Sequence, residues 1–450
     1  MEVSNRREFV KNSTKLAIGA GLVSMMPLTS SCNSANDKIV FGAIGLRNMG
    51  FSNIKSFLKN PNVECAAVCD IDDEILNSRA KDIEEINEER ISNGEKITQT
   101  RPTLYKDYRK MLEDNNIDAV IIGTPDHWHC LQMVDASAAG KHVYVEKPMA
   151  NTIEEVLIME KAAKKYKNVV TVGQWQRSGQ HWHDAVNYVK SGALGKISRV
   201  KAWSYTSKTP LPVVEDSTVP QGVDYDMWQG PAPRKPFNQN RFHYNFRYYW
   251  DYAGGLMADW GVHMLDFAMF GMDAKRPKSI TALGGHFAYE DARQTPDTMN
   301  VLYEFDNYTI SWEHSVCLGN GSYGLGHGVL FQGNNGALLV TRGGWQVIPE
   351  KHMVDGERKD KIEGLAWTKG DNSLDAHVVN FFDVIRNGGE TNCTVEMGKD
   401  VAMLTHMGNI AHRTGDKLIW DAANNRFSNS EQANALLVPT YSDPWALPNI

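Results

Sequence analysis

Ile39-Val40-Phe41-Gly42-Ala43-Ile44-Gly45-Leu46-Arg47-Asn48-Met49-Gly50 is an apolar run of strand character that ends in a tight glycine turn. Strand, glycine turn and following helix are the parts of a dinucleotide fingerprint, in which the amino end of the helix faces a pyrophosphate. The usual G-x-G-x-x-G spacing reads here as Gly45-x-Arg47-x-x-Gly50. The second glycine, which lets the backbone approach the phosphates, is replaced by arginine, and a glycine turn in an ordinary βα unit explains the same residues. Support comes from further along the chain. Val63-Glu64-Cys65-Ala66-Ala67-Val68-Cys69 reads as the next strand, and Asp70 ends it about 20 residues after the turn, where an acid hydrogen-bonds the adenosine ribose hydroxyls. This reading sets Gly45, Arg47, Asn48, Met49, Gly50 and Asp70 against the cofactor. An acid at 70 favours NAD, because the extra phosphate of NADP would face its charge. Arg47 offsets part of that repulsion and keeps NADP open.

Three later motifs fall where an open parallel sheet gathers its ligand contacts, at the carboxyl ends of strands. Ala119 to Ile122 reads as a buried strand that runs into Thr124-Pro125-Asp126-His127-Trp128-His129, and a helix follows from Cys130 to Ala139. Pro125 halts the ladder, and Asp126 is the predicted N-cap. Trp128 offers a stacking face and His129 a donor, whereas His127 also fits aromatic packing under a helix cap. Lys141 to Val145 alternates like a strand and leads to Glu146-Lys147-Pro148. Lys147 there is either an acid/base or donor group in a cofactor cleft or part of a surface Lys-Pro turn. Asp259, His263 and Asp266 fall at i, i+4 and i+7, so a helix starting near Trp260 places them on one face. A carboxylate one turn before an imidazole orients it and raises its pKa, giving a general acid/base pair. Helix capping by Asp259 is the competing reading. No HExxH or CxxC pattern supports a metal site.

Taken in order, these motifs resemble the glucose–fructose oxidoreductase / inositol dehydrogenase (Gfo/Idh/MocA) family, over roughly residues 38–420. The resemblance implies an α/β protein: a Rossmann dinucleotide-binding domain (38–172), then an α/β domain (173–420) on a large open, mostly antiparallel sheet, then a tail (421–450). It implies a nicotinamide cofactor in the cleft between the domains, touched by Thr124, Pro125, Trp128, His129, Glu146 and Lys147 besides the fingerprint residues. It also implies Lys147, Asp259 and His263 as the catalytic group. His263 would take the hydroxyl proton, and Lys147 would polarise the oxygen and position sugar and cofactor.

Composition fits a globular enzyme. The chain has 450 residues, a formal charge of −7, and no basic stripe or nucleic-acid motif. Its 12 Trp and 16 Tyr include a cluster from Phe242 to Tyr252, and aromatic faces with polar tips suit sugar rings. Arg247, Trp250 and Asp251 from that cluster, with Gln176 and Arg177 after the strand Asn168 to Gly173, are the candidate substrate contacts; Arg177 also fits a pairing with a surface acid. Cys65 and Cys69 share a strand about 13 Å apart, too far for a disulfide. Lys81 to Ile97 reads as a solvated helical arm, residues 205–245 as a long proline-rich loop over the cleft or a subunit arm, and alternating apolar segments from Ile280 to Ile348 suit the open sheet. The exposed face of that sheet predicts a homo-dimer or homo-tetramer.

Asn5-Arg6-Arg7-Glu8-Phe9-Val10-Lys11 has the pattern of a twin-arginine export signal (1–31), followed by an apolar segment from Leu16 to Leu28 and by Thr29-Ser30-Ser31-Cys32. Cys32 is a candidate lipid anchor; cleavage without lipidation is the alternative. A periplasmic or membrane-anchored enzyme meets little free cofactor. The expectation is therefore a tightly held NAD, recycled in place, with a sugar or glycoside as substrate. Two other readings stay open. One is an NAD-dependent glycosidase working through a transient 3-keto sugar, with Tyr252 or Asp251 as the additional base. The other is a non-catalytic sugar-binding lipoprotein.

Overall fold

The computed structural model describes residues 38–450, which form one compact unit. The export signal and Cys32 lie outside the described residues. The first sheet holds β1 (Ile39–Ile44), β2 (Val63–Cys69), β3 (Thr103–Tyr105), β4 (Ala119–Ile122), β5 (His142–Val145) and β6 (Val170–Val172). All its pairings are parallel, in the order β3-β2-β1-β4-β5-β6. Strand order reverses between β1 and β4, and that is where a doubly wound sheet opens its ligand crevice. The strands are apolar on both faces because helices cover both.

The second sheet has ten strands in the order β16-β13-β12-β11-β7-β10-β9-β8-β17-β18. They are β7 (Ile197–Tyr205), β8 (Ser279–Gly285), β9 (Thr298–Glu304), β10 (Thr309–Ser315), β11 (His327–Gly333), β12 (Gly336–Thr341), β13 (Gly344–Pro349), β16 (Leu365–Lys369), β17 (Leu418–Asp421) and β18 (Arg426–Phe427), with a separate ribbon of β14 (Lys351–Val354) and β15 (Glu357–Asp360). β7 and β10 pair in parallel, and the other pairings between these strands are antiparallel. Alternation along β9 buries Met299, Val301 and Tyr303 and exposes Asn300, Leu302 and Glu304. The buried side packs on the helices Gly261–Met272 and Val395–Thr414. The architecture is thus a Rossmann-like parallel sheet followed by a domain on a large mixed, mostly antiparallel sheet.

Two elements cross between the sheets. Helix Leu374–Asn387, late in the chain, covers the first sheet: Phe381 and Phe382 pack with Phe41, Phe57 and Tyr144 in one cluster. The tail covers the opposite face, where Tyr441 Oη donates to Glu155 Oε1 at 2.7 Å and Trp445 meets the Trp128 ring edge-on at 4.9 Å. The predicted arm at 81–97 belongs to a longer helix, Asp73–Ser92, capped by Asp72. The arm is not wholly solvated, since Ile83, Asn87 and Arg90 are buried. Among the described residues, no helix is long and apolar enough to cross a membrane.

Candidate active site

The glycine turn works by close approach. Gly45 sits at φ +81°, and a Cβ on Gly50 would stand 2.0 Å from the Gly45 carbonyl oxygen. Strand and helix therefore meet backbone to backbone, and the amino end of helix Asn48–Leu58 opens into a cleft of about 1170 Å³. Arg47 is the residue before the helix and makes no side-chain cap there. Asp70 braces the turn: its Oδ2 accepts the Leu46 N–H at 2.8 Å and its Oδ1 the Asp72 N–H at 3.2 Å. Burial pushes its carboxyl up to about 6 against these two donors. Gly45, Arg47, Asn48, Met49, Asp70, Thr124, Pro125, Trp128, Glu146 and Lys147 all line the cleft. Met227, Trp228, His243 and Tyr244 from the long 205–245 segment close it from the other side.

The donor set and the cradle fit a dinucleotide. A helix amino end and a glycine turn stand where a pyrophosphate would lie, with a ribose-facing acid at one end of the cleft and an ammonium at the other. His129 is not on that wall. Its ring nitrogens lie 2.9 Å from the Thr124 carbonyl and 2.7 Å from that of Pro148, so it ties together the two loops that carry Thr124 and Lys147. Its predicted direct cofactor contact is replaced by a positioning role. Asp126 is not an N-cap either. The chain passes through a 3-10 turn, Asp126–Trp128, before the helix begins at His129, and no cap hydrogen bond forms. The Asp126 carboxyl faces the cleft, where burial pushes it up to about 7 despite the Lys147 cation.

Lys147 and Asp259 meet at the far end. Lys147 Nζ donates to Asp259 Oδ1 at 2.6 Å and to the Asp259 carbonyl at 3.0 Å, and Arg247 Nε stands 3.2 Å from Oδ2. Burial alone would raise the Asp259 pKa, but the Lys147 and Arg247 cations hold it well below the usual carboxylate range. Glu146 steadies the lysine loop from behind, accepting from Asn53 Nδ2 at 2.8 Å and from the Lys147 N–H at 3.2 Å.

The predicted Asp259–His263 pair does not form. The helix breaks at Trp260, giving Gly255–Asp259 and Gly261–Met272 in place of one continuous face. Both carboxylate oxygens are taken by cations, and His263 Nδ1 is buried with no partner. Burial, then Lys147 and Arg342, push the His263 pKa well below its ordinary value, the reverse of the expected rise. The imidazole is neutral and able to accept a proton. Asp266, the third residue of that pattern, lies elsewhere and accepts Arg177 Nε and Nη2 at 2.7–3.0 Å. That buried ion pair removes Arg177 from the substrate contacts. Trp250 and Asp251 line a different cleft, of about 990 Å³, and Asp251 pairs with Lys235. Tyr252 is fully buried among Trp228 and His127. Gln176 remains near His263, accepting from Arg342 Nε at 2.8 Å.

Sequence reasoning missed Arg342, Trp260 and His327, which join Trp175, of the predicted crevice segment after β6, around His263. No spacing links residue 342 to residue 263. Among the described residues, no group of three or more His, Cys, Asp or Glu has the arrangement of a metal site.

Residues 39–174 match the oxidoreductase family's NAD-binding Rossmann fold, and residues 188–310 match that family's C-terminal alpha/beta domain. Among curated proteins, an alpha-N-acetylgalactosaminidase of Shewanella oneidensis is 28% identical over 214 residues, 43% of this chain and 44% of that protein. The chain thus spans less than half the length of the curated relatives it matches. Among solved structures, an aldose-aldose oxidoreductase from Caulobacter crescentus complexed with glycerol aligns with 19% identity, TM-score 0.60, 85% of this chain and 100% of that one. A levoglucosan dehydrogenase in complex with NADH and levoglucosan aligns with 18% identity, TM-score 0.61, 85% and 99%. At these identities the structural likeness speaks for the fold.

Proposed function

The chain belongs to the Gfo/Idh/MocA oxidoreductase family with NAD(H) as its cofactor, and from that premise we propose that it oxidises a ring hydroxyl of a sugar or glycoside. One observation carries the proposal: the imidazole of His263, its Nδ1 without a partner, lies within electrostatic reach of Lys147 and Asp259, the ion pair in the wall of the cofactor cleft. When bound, NAD accepts the hydride from the carbinol carbon. His263 takes the hydroxyl proton, because its depressed pKa leaves it unprotonated at neutral pH. Lys147 donates a hydrogen bond to the same oxygen, and Asp259 fixes the ammonium in place. Lys147 and, after it, Arg247 keep Asp259 ionised.

The test follows NADH formation across neutral sugars, sugar acids and nitrophenyl glycosides. Replacing His263 by Ala is expected to lower kcat about 10²- to 10⁴-fold while NADH binding, read by fluorescence, persists. Equal turnover by wild type and His263→Ala would overturn the assignment. We extend the proposal to a cofactor that stays bound between two half-reactions in an exported enzyme. The support is the twin-arginine pattern at residues 5–11. Protein purified without added NAD should then carry it by mass and absorbance.

A second reading, glycoside cleavage through a transient 3-keto sugar, is favoured by the likeness to the Shewanella oneidensis enzyme. Oxidation at C3 would acidify the neighbouring C–H, a base would remove that proton as the aglycone leaves, water would add to the resulting enone, and the hydride would return to C3. Neither Tyr252 nor Asp251 reaches this cleft, whereas Asp126 lines it. Nitrophenol release without net NADH accumulation would identify this chemistry.

A further inference from the structure

The Lys147–Asp259 pair acts on His263 electrostatically. A guanidinium does so as well. Arg342, one residue past β12, lies over two indoles, its Cζ 4.7 Å from the Trp175 ring centre and 4.5 Å from that of Trp260. Apart from Gln176 Oε1 and these rings it has no partner: among the described residues no Asp or Glu oxygen stands within ion-pair distance of it. The carboxylate with the nearest electrostatic influence, Asp259, is already held by Lys147 and Arg247. A largely desolvated cation without a counter-ion is costly.

Its neighbours are unsatisfied as well. Gln176 Nε2, His327 Nε2 and His263 Nδ1 are buried with no hydrogen-bond partner. The rings of His263 and His327 lie 6.0 Å and 5.0 Å from the Trp260 ring that also carries Arg342. These nitrogen groups share the surroundings of Trp175 and Trp260, and among the described residues no carboxylate pairs with any of them. Stacking engages the flat of the guanidinium and leaves its edge, the part that grips planar oxyanions in bidentate fashion. Lysine would supply charge without that fork.

We propose that Arg342 binds an oxyanion carried by the substrate, so that the sugar presented to His263 is an acid: a uronate, or a sugar bearing a sulfate ester in the same place. Gln176 Nε2 and His327 supply further donors to that group, and Trp175 and Trp260 hold the guanidinium for it. The inference rests on the sugar-oxidising reading and names its substrate class.

The experiment uses the cofactor-loaded enzyme and matched sugars: methyl glucoside with methyl glucuronide, methyl galactoside with methyl galacturonide, and glucose with glucose 6-sulfate. NADH formation gives kcat/KM for each, and quenching of tryptophan fluorescence gives binding, in wild type, Arg342→Gln and Arg342→Lys. Wild type is expected to favour the acids. In Arg342→Gln the acid-to-neutral ratio of kcat/KM should fall about 10- to 100-fold, the scale of a hydrogen-bonded charge contact, and Arg342→Lys should recover part of it. A uronate preference assigns a carboxylate, a sulfate preference a sulfate ester, and either supports the oxyanion site. A ratio near one in wild type, or a ratio that Arg342→Gln leaves in place, overturns it while sugar oxidation stands. Should no sugar be oxidised, and uronate quench wild type but not Arg342→Gln, the sugar-oxidising reading fails and the anion site survives.

Discussion

Asp259 and His263 were legible as residue types four apart, but spacing places residues on one face only where a helix is continuous. The break at Trp260 turns Asp259 toward two cations and leaves the imidazole alone. Asp126 is the opposite case: a residue that reads as a cap and lies instead in the cleft wall. Its folded carboxyl holds a proton up to about pH 7, whereas in the unfolded chain it does so only below about pH 4. Between those values the folded state carries the extra proton, so this residue's contribution to stability falls as pH rises through the window. Asp126→Asn should therefore stabilise the apoprotein at pH 8, by about 2–4 kcal/mol, and much less at pH 5. Thermal melts at the two pH values check this; equal shifts would contradict it.

Elements were easier to read than contacts. β1, its glycine turn and β2 stand where apolar runs and Asp70 predict them, because a strand buried on both faces leaves a continuous hydrophobic signature. Arg47 in place of the usual second glycine does not spoil the turn, since the tight approach lies between Gly45 and Gly50. Gly50→Ala must push a methyl into the Gly45 carbonyl, so it should weaken NADH binding by about tenfold or more, with little change at the Lys147 end. Fluorescence titration reads the affinity, and a Gly50→Ala variant that binds NADH as wild type does would show that the turn can yield. The 205–245 segment carries too little periodicity to locate its inward side chains, so Met227, Trp228 and His243 became visible only in three dimensions. Trp250 and Asp251 follow it into the second cleft for the same reason.

At the scale of the molecule, the family resemblance implies a doubly wound sheet followed by a large open one, and both are present. A linear reading does not show which late segments return to the first sheet. Helix Leu374–Asn387 does so, and its Phe382 meets the Phe57 ring edge-on at 4.8 Å. Replacing Phe382 with Ala should cost about 3–5 kcal/mol, measured by denaturant unfolding, although the whole second sheet up to β16 separates the residue in sequence from the strands it covers. A loss under about 1 kcal/mol would mean the helix is dispensable to that layer. The order of synthesis gives this helix a further meaning. The nucleotide-binding half leaves the ribosome with one apolar flank bare, and at roughly 5–20 residues per second its lid emerges on the order of ten to forty seconds later. For that interval the surface that the aromatic pair at 381 and 382 will cover stays open to water.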